Sequence, residues 1–102
     1  MTRHIFHITS RDAWQQQKPT GTYRHASLES EGFIHCSDET QLDATWKRFF
    51  RGETGWVVLD IDVDRLKSEV RYEKSEPGET FPHVYGPVNV DAVVGIRDLP
   101  ET

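Results

Sequence analysis

Apolar and polar residues alternate from the start of the chain, and this alternation predicts a first β-strand. In RHIFHIT, at residues 3–9, Ile5, His7 and Thr9 fall on one face of an extended chain. A short helix is predicted over residues 9–18, because a threonine or serine can cap its start and a proline follows its end. The first strand therefore presents a histidine on the same face as an apolar residue.

A second strand and a longer helix are predicted after residues 19–30, a segment rich in turn-forming residues that we expect to be a loop. The strand is GFIHCS, at residues 32–37, where His35 and Ser37 share one face. Ser37 is then expected to cap a helix that runs to about Arg51, and the free N–H groups at such a helix start attract phosphate. Four apolar residues predict one buried stripe along this helix: Leu42, Trp46, Phe49 and Phe50.

The second half of the chain is predicted to consist mostly of strands. GWVVLDID, at residues 55–62, predicts a buried central strand, and residues 69–74 and 91–99 predict two more. Residues 75–80 contain proline and glycine and predict a flexible loop, whereas residues 81–89 predict an ordered loop. Because helices crowd the first half and strands the second, we expect an α+β fold.

Length and charge limit the class of protein. The chain has 102 residues, which suits one domain over residues 1–102. Its formal net charge of -5 argues against a large nucleic-acid partner, whereas a single phosphate needs only one or two local cations. No stretch resembles a signal peptide or a membrane span, and one cysteine excludes an intrachain disulfide. We therefore expect a cytoplasmic protein with no membrane partner, whose oligomeric state the sequence leaves open.

Metal and thiol chemistry are poorly supported by the spacing of the ligand-type residues. His35 and Cys36 are adjacent in a strand, so their side chains point to opposite faces, and Cys36 is expected to be a buried structural thiol. Asp60, Asp62 and Asp64 resemble the start of a calcium loop but lack its glycine and glutamate. We expect no metal site among the five histidines: His4, His7, His25, His35 and His83.

The polar faces of the first two strands suggest one shared site. If these strands lie near each other, His7 and His35 face the same cleft. In FPHVYGP, at residues 81–87, two prolines stiffen the backbone around His83 and Tyr85. Any one of these histidines could instead be a core or surface residue with its hydrogen bonds satisfied. Taken together, they favour a ligand groove, in which His35→Ala is expected to weaken binding and leave the fold mostly intact.

Three stretches carry a resemblance to a known family: HIFHITSRDAW, SLESEGFIHCS and FPHVYGP. They resemble the family called domain of unknown function 952, from about Ile5 to Leu99. This family is similar in turn to the ADP-ribosyltransferase-like superfamily, and within it to the RNA 2'-phosphotransferases. Those enzymes begin with a strand like YHxT, a helix containing Trp and a strand like HxHLS; here FHIT, Trp14 and FIHCS follow in that order.

The resemblance implies a fold and a ligand. It implies a small curved sheet, mixed or antiparallel, that is split around an NAD-binding groove and accompanied by two or three short helices. By resemblance, His7 holds a nicotinamide ribose or its equivalent, and His35 and Ser37 line the same cleft. Tyr23 or Tyr85 can stack on the nicotinamide or the base. The implied partner is a nucleotide or another phosphorylated small molecule, with NAD or a related nucleotide as the candidate and no cofactor required.

The resemblance also implies a transferase reaction, with one departure from the family pattern. Superfamily members that transfer ADP-ribose carry a late glutamate, but after Glu79 this chain has only Glu101, so Glu73 is the best substitute. A carboxylate there would stabilise an oxocarbenium-like state. The predicted catalytic residues are His7, His35 and Glu73. The predicted ligand-binding residues are Thr9, Tyr23, Arg24, Ser27, Ser37, His83 and Tyr85.

Three functions therefore remain open from the sequence. The first is a nucleotide-binding protein of the ADP-ribosyltransferase type, which also acts as a transferase if Glu73 can replace the late glutamate. The second is a ligand- or partner-binding domain that lacks this chemistry. The third is a metal- or partner-binding structural protein in which the histidines are incidental.

Overall fold

The chain folds into two three-stranded antiparallel sheets and one two-stranded sheet with a few short helices, as seen in a computed structural model that describes residues 3–50, 52–75 and 78–99. The strands are β1 His4–Ser10, β2 Thr22–Tyr23, β3 Ile34–His35, β4 Trp56–Asp62, β5 Glu69–Ser75, β6 Glu79–Tyr85, β7 Val88–Asn89 and β8 Val93–Leu99. The α-helices are α1 Arg11–Gln17, α2 Ser27–Ser30 and α3 Leu42–Phe49. Three 3₁₀ turns lie at Lys18–Thr20, Val63–Arg65 and Val90–Ala92.

The first sheet has the strand order β1-β4-β8, and all its pairs are antiparallel. Its middle strand, β4, is buried along most of its length, which fits the continuous apolar run of WVVLDI. The prediction of a central strand at residues 55–62 is therefore confirmed. Both faces of this sheet are covered: one by the main core, which includes Ile5 and Leu59, and the other by α3.

The second sheet has the order β3-β6-β5 and lies beside the first strand of the other sheet. A backbone bridge connects the two, because the N–H of Phe6 donates to the Ser37 carbonyl at 2.8 Å and the N–H of Ser37 donates back at 2.7 Å. A separate pair, β2 with β7, completes the strands. The combination of a few short helices with mainly antiparallel strands confirms the α+β prediction.

The ordered loop predicted at residues 81–89 is wrong, because most of it is strand. Residues up to Tyr85 belong to β6, the middle strand of the second sheet, and Val88 and Asn89 form β7. The carbonyl of Pro82 accepts the N–H of Cys36 at 3.1 Å. The N–H that proline lacks would face the same side, and the β3–β6 pairing ends at this point, so the missing donor is tolerated. In the segment predicted as a flexible loop, residues 75–80, Ser75 is the last residue of β5, and β6 begins at Glu79. Glu76 and Pro77 lie outside the described residues.

The two predicted helices form, with one correction to the start of the second. Ser10 caps α1 as expected, since its hydroxyl oxygen accepts the N–H of Ala13 at 3.1 Å. Ser37 is not a helix cap, because its backbone is committed to the bridge with Phe6 and α3 begins only at Leu42. The prediction that phosphate is attracted to a helix start at Ser37 is therefore wrong.

A tight turn occupies the residues between Ser37 and α3. The carboxylate of Asp38 accepts the N–H of Gln41 at 2.9 Å, and the side-chain carbonyl of Gln41 accepts the N–H of Asp38 at 3.0 Å. This reciprocal pair delays the helix by about one turn. The predicted helix end at Arg51 lies outside the described residues, and α3 ends at Phe49.

The apolar stripe of α3 is confirmed at three of its four positions. Leu42, Trp46 and Phe50 pack against Phe6 and neighbouring residues of the first sheet. Phe49, the last residue of the helix, is 62% exposed and does not join this cluster. Among the described residues, no helix is long and apolar enough to cross a membrane.

Gly86 connects β6 to β7 in a conformation that side chains disfavour, and we expect Gly86→Ala to destabilise the fold by about 1–3 kcal/mol. Its φ is 154°, and a Cβ added there would lie 2.5 Å from Oγ of Ser68. That hydroxyl cannot move away freely, because it donates to the Pro87 carbonyl at 2.6 Å. Urea unfolding measures the change.

The matched control for this prediction is Gly95→Ala in β8, where an added Cβ would meet Asp60 at an ordinary 3.5 Å. Its unfolding midpoint should stay much closer to that of the parent. Equal midpoints for the two alanine variants would contradict the prediction.

Candidate functional site

A cavity of about 390 Å³ lies beside the bridge between the two sheets. Its walls come from β1, from the segment around the end of β3, from the C-terminal half of α3 and from β6. The lining residues are Phe6, His7, Ile8, His25, His35, Cys36, Ser37, Thr45, Arg48, Phe49, Phe50, Phe81 and His83. Four of the five histidines of the chain therefore meet at one cavity.

His7 is buried, and both of its ring nitrogens are bound to the protein. Nδ1 donates to the backbone carbonyl of His35 at 2.7 Å, and Nε2 lies 2.9 Å from the hydroxyl of Tyr23. Burial lowers the pKa of His7 to about 4, although the bond to the carbonyl partly opposes this shift. His7 is therefore neutral near pH 7, with its proton on Nδ1.

The Tyr23 hydroxyl lies between two acceptors. One is the lone pair on Nε2 of neutral His7, 2.9 Å away. The other is Oγ1 of Thr9, to which this hydroxyl donates at 2.8 Å. Burial raises the pKa of Tyr23 to about 12, so the phenol keeps its proton. Thr9 and Tyr23 are therefore buried behind His7, outside the lining of the cavity.

His25 is held by the start of the short helix α2. The backbone N–H of Ser27 donates to Nδ1 of His25 at 3.1 Å, while the hydroxyl of Ser27 donates to the Phe33 carbonyl at 2.7 Å. The ring of His25 lies edge-on to that of His7, with centroids 5.1 Å apart. Burial lowers the pKa of His25, and the nearby His35 adds to this effect. The sequence alone did not single out this residue.

His83 is paired with a carboxylate on the neighbouring strand. Nδ1 of His83 lies 2.8 Å from Oε1 of Glu73, and the Tyr85 hydroxyl donates to the same oxygen. These two bonds, that of Tyr85 first, lower the pKa of Glu73, so it is a carboxylate near neutral pH. The ring of Phe33 stacks on His83 with centroids 4.1 Å apart. The carboxylate and the phenyl ring together set the orientation of the imidazole.

His35 stands at the exposed side of the same group. Its Nε2 lies 3.0 Å from Oε2 of Glu31, and its side chain is 53% exposed. The ring centroids of His35 and His83 are 5.3 Å apart. His35 is therefore not a core residue, which agrees with the face that strand alternation assigned to it.

Part of the cavity lining is aromatic and lies beside a positive charge. It consists of Phe49 and Phe50 at the end of α3 and of Phe81 on β6, and Arg48 lies over the ring of Phe49 at 5.1 Å from the ring centre. Arg48 is the only arginine or lysine that lines the cavity among the residues that the structure describes. A helix end rich in Arg and Lys is typical of a solvated terminus, where these charges complement the helix dipole. The helical pattern could not show that it faces a cavity.

The sequence of the chain matches one known family over most of its length. The family model described as "Protein of unknown function (DUF952)" matches residues 8–96. The chain belongs to this family. No curated protein is significantly similar to it.

Solved structures with a similar fold are those of protein CC0527 from Caulobacter crescentus. Its crystal structure is 33% identical, has a TM-score of 0.86 and covers 97% of this chain and 88% of the other. Its solution NMR structure is 34% identical, has a TM-score of 0.81 and covers 94% and 84% of the two chains. The architecture described above is therefore similar to one determined by experiment.

The predicted site residues of this DUF952 protein fall into three groups. Four of them line the cavity: His7, His35, Ser37 and His83. Five others lie outside the lining. Three of them hydrogen-bond directly to a cavity histidine: Tyr23 to His7, Ser27 to His25 and Glu73 to His83. The other two act through these, since Thr9 bonds to Tyr23 and Tyr85 bonds to Glu73. Arg24 is exposed, and its backbone pairs with the side chain of Gln17, away from this group.

The DUF952 cavity offers hydrogen-bonding and aromatic groups rather than a metal-binding geometry. Within residues 3–50, 52–75 and 78–99, no group of three or more His, Cys, Asp or Glu side chains is arranged to hold a metal ion. The four imidazoles instead have hydrogen-bond partners within the protein, and these bonds set the orientations of the rings. Their common chemistry is the exchange of hydrogen bonds or protons with a bound molecule.

Cys36 lies against the cavity, yet we expect it to react slowly with a thiol reagent in the native protein. It is buried, as the alternation of its strand predicted, and burial raises the pKa of its thiol. Labelling with a chromogenic disulfide should be slow in buffer and fast in denaturant. Rapid labelling of the native protein would contradict this expectation.

Proposed function

We propose that the cavity binds a nucleotide or a related phosphorylated small molecule, with NAD and ADP-ribose as the leading candidates. The observation that carries this proposal is the convergence of four imidazoles, one guanidinium and four phenyl rings on a single cavity. The volume of about 390 Å³ lies within the range of small-molecule sites, roughly 300–1,000 Å³. Each part of a nucleotide has a matching group on these walls.

The cation suits the phosphate part of such a ligand. Arg48 presents a planar fork of donors that matches phosphate oxygens. It also lies on the exposed end of α3, where a charged group can enter without complete desolvation. One phosphate group needs no wider basic surface, which agrees with the acidic composition of the chain.

The aromatic wall suits a planar base. Phe49 is exposed although it is large and apolar, and together with Phe50 and Phe81 it offers faces on which a base or nicotinamide can stack. The imidazoles of His25, His35 and His83 remain available for sugar hydroxyls. His7 is less suited to direct contact, because both of its ring nitrogens already have partners.

We further propose that the fold is of the ADP-ribosyltransferase-like type and that its ligand groove is this cavity. Two small sheets part beside the bridge between Phe6 and Ser37, as a sheet split around a groove would do. The FHIT and FIHCS stretches that carry the resemblance also supply His7 and His35 to the walls.

The single cysteine fits a reducing compartment such as the cytoplasm.

A specific observation favours the non-catalytic alternative over a transferase. Cleavage of a nicotinamide glycosidic bond needs a carboxylate near the oxocarbenium-like sugar. Glu73 does not line the cavity, and its Oε1 already accepts from both His83 and Tyr85. A binding domain that senses or carries the ligand therefore fits the position of Glu73 better than a transferase does.

Isothermal titration of the purified protein tests the binding proposal. NAD, ADP-ribose and a 2'-phosphorylated dinucleotide are each titrated, and saturable binding of at least one is expected. Release of nicotinamide from NAD is then measured, and its absence supports the binding domain. If none of the three binds at millimolar concentration, the nucleotide proposal is wrong.

A further inference from the structure

We propose that His35 and His83 act as an acid–base pair that hydrolyses a cyclic phosphodiester of a nucleotide, with Glu73 as a positioning residue. This reaction differs from the transfer of ADP-ribose, because it requires no carboxylate beside the sugar. It rests on the proposed function in taking a nucleotide as the ligand of the cavity.

The two imidazoles are direct neighbours across a pair of strands. His35 of β3 lies opposite His83 of β6, and such partners in an antiparallel pair place their side chains on the same face. Their ring centroids are 5.3 Å apart, and both rings line the cavity. Phe33 stacks on His83 with centroids 4.1 Å apart and meets His35 edge-on at 4.8 Å, so one phenyl ring packs against both. A ligand group as small as a phosphate can therefore contact both imidazoles.

Each imidazole of the pair has one nitrogen bound to a carboxylate. Nδ1 of His83 lies 2.8 Å from Oε1 of Glu73, and Nε2 of His35 lies 3.0 Å from Oε2 of Glu31. A carboxylate can only accept, so these two nitrogens carry a proton whether the ring is neutral or charged. The exchangeable site is consequently the other nitrogen, Nε2 of His83 and Nδ1 of His35. Each ring can take or give a proton there.

These exchangeable sites are open to a ligand. Nε2 of His83 has no hydrogen-bond partner in the described part of the chain, where no buried side-chain nitrogen is without one, so this atom is accessible. The side chain of His35 is half-exposed. The other two cavity imidazoles differ, because both nitrogens of His7 are bound within the protein and His25 binds Ser27 rather than a carboxylate.

The position of Glu73 fits this role better than the one implied by the family resemblance. Glu73 lies outside the lining of the cavity, and its Oε1 accepts from both His83 and Tyr85. It is therefore poorly placed to stabilise a charged sugar. A carboxylate behind an imidazole instead fixes the orientation of the ring and stabilises its charged form during proton transfer.

The proposed hydrolysis balances with water as the only co-reactant. One imidazole, in its neutral form, takes a proton from water while the water oxygen forms a bond to phosphorus. The bond from phosphorus to one sugar oxygen breaks, and that oxygen takes a proton from the other imidazole, which is in its charged form. The product is a nucleoside phosphomonoester, and proton exchange with solvent restores the pair.

The size of the cavity favours a cyclic diester over a linear one. A volume of about 390 Å³ suits a single nucleotide rather than a chain of them, and a phosphodiester within one nucleotide is cyclic. In a 2',3'-cyclic phosphate, the diester lies on the two sugar oxygens that are hydroxyls in NAD. The imidazoles assigned above to sugar hydroxyls would therefore meet the reacting group.

Other titratable or charged groups face the pair from several elements: His7 on β1, His25 and Glu31 on either side of α2, Arg71 and Glu73 on β5, and Tyr85 on β6. Burial lowers the pKa of both His7 and His25. The hydrogen bond between Tyr85 and Glu73 lowers the pKa of the carboxyl and raises that of the phenol. A bell-shaped pH profile centred near neutrality would therefore report the pair rather than these four groups.

The proposal is tested by ³¹P NMR of 2',3'-cyclic AMP incubated with the full chain at several pH values. We expect conversion to 2'- or 3'-AMP and a bell-shaped dependence of kcat/KM on pH. His35→Ala and His83→Ala should each lower kcat by roughly 100-fold or more. His35 is half-exposed, so its variant decides the question even if His83→Ala fails to fold. His4→Ala is the matched control and should keep full activity, since His4 also pairs with a carboxylate, that of Asp60, but does not line this cavity.

The positioning role of Glu73 is tested by the pH profile of Glu73→Gln. One limb of the bell should move to lower pH, because the charged imidazole loses the negative charge beside it. A purely structural role would scale the whole profile and leave both limbs in place, and that result would overturn the role of Glu73.

The remaining outcomes separate this inference from the proposed function. Hydrolysis that survives in His35→Ala, or a parent that binds 2',3'-cyclic AMP in isothermal titration without converting it, overturns the acid–base pair and leaves the nucleotide proposal standing. A parent that binds neither this probe nor NAD and ADP-ribose overturns both. Hydrolysis of the probe by a parent that binds neither NAD nor ADP-ribose supports the pair and removes those two candidates.

Discussion

Acidification from pH 6.5 to pH 4 is expected to remove on the order of 3 kcal/mol of folding stability through His7 alone. The unfolded chain binds a proton at this residue below about pH 6.5, whereas burial holds the pKa in the folded protein at about 4. The unfolded state therefore binds more protons throughout this interval, and stability falls as the pH falls. Urea unfolding at several pH values measures the effect.

The variant His7→Gln isolates this contribution from the other titrating groups. It is expected to be less stable than the parent near pH 7, because the Tyr23 hydroxyl loses its acceptor, and to depend less on pH between 6.5 and 4. Curves that run parallel for parent and variant over this interval would contradict the assignment.

His4 provides a control of opposite sign. A hydrogen bond to the side chain of Asp60 raises the pKa of His4 in the folded state. Its contribution is therefore present below pH 6.5 and is lost as the pH rises through the higher folded value. His4→Gln should consequently change the slope above pH 6.5, where His7 is neutral in both states. A slope there that stays unchanged in the variant would contradict this role of His4.

The approach of His7 and His35 could be predicted from the sequence, because alternation within each strand is a local property. It placed each histidine on a face, and the structure brings both side chains to one cavity. The sequence did not predict the hydrogen bond between them, in which the ring of His7 binds the backbone carbonyl of His35. Alternation assigns side chains to faces and carries no information about carbonyl groups.

The second sheet could not be predicted, because its pairings join residues far apart in the chain. Pro82 made residues 81–89 resemble a loop, and only the geometry of its neighbour Cys36 shows why a middle strand tolerates it there. The position of Glu73 beside His83 is set by the same sheet. A carboxylate predicted to face the ligand instead lies behind His83, the residue that faces it.

His25 and Arg48 were missed for a different reason. His25 lies in an irregular segment without hydrophobic periodicity, and its position depends on the hydrogen bonds of Ser27. Arg48 lies in a helix whose pattern reports only which side packs on the sheet. At Phe49 that pattern was also misleading, because the end of α3 extends beyond the sheet to the cavity.

Replacing Arg48 by alanine is expected to weaken the binding of ADP-ribose by roughly 10- to 100-fold, the usual range for a lost hydrogen bond to a charged group. Arg48 is the arginine of the cavity wall, and the proposal assigns it to the phosphate part of the ligand. The loss should be smaller at high salt, because the site is open to solvent and its charges are screened. Isothermal titration of both proteins at two salt concentrations measures these effects.

Lys47→Ala is the matched control, because it removes a neighbouring positive charge that does not line the cavity. Its ammonium pairs with Asp43 at 3.0 Å on the exposed side of α3. Both substitutions should change the free energy of unfolding by no more than about 0.5 kcal/mol, so a difference in affinity can be assigned to the ligand contact. Adenosine, which has no phosphate, separates charge from packing, since its binding should be almost the same in the parent and in Arg48→Ala. Equal losses of ADP-ribose affinity in the two variants would mean that the helix end acts only through its net charge, and the assignment of Arg48 to the phosphate would be wrong.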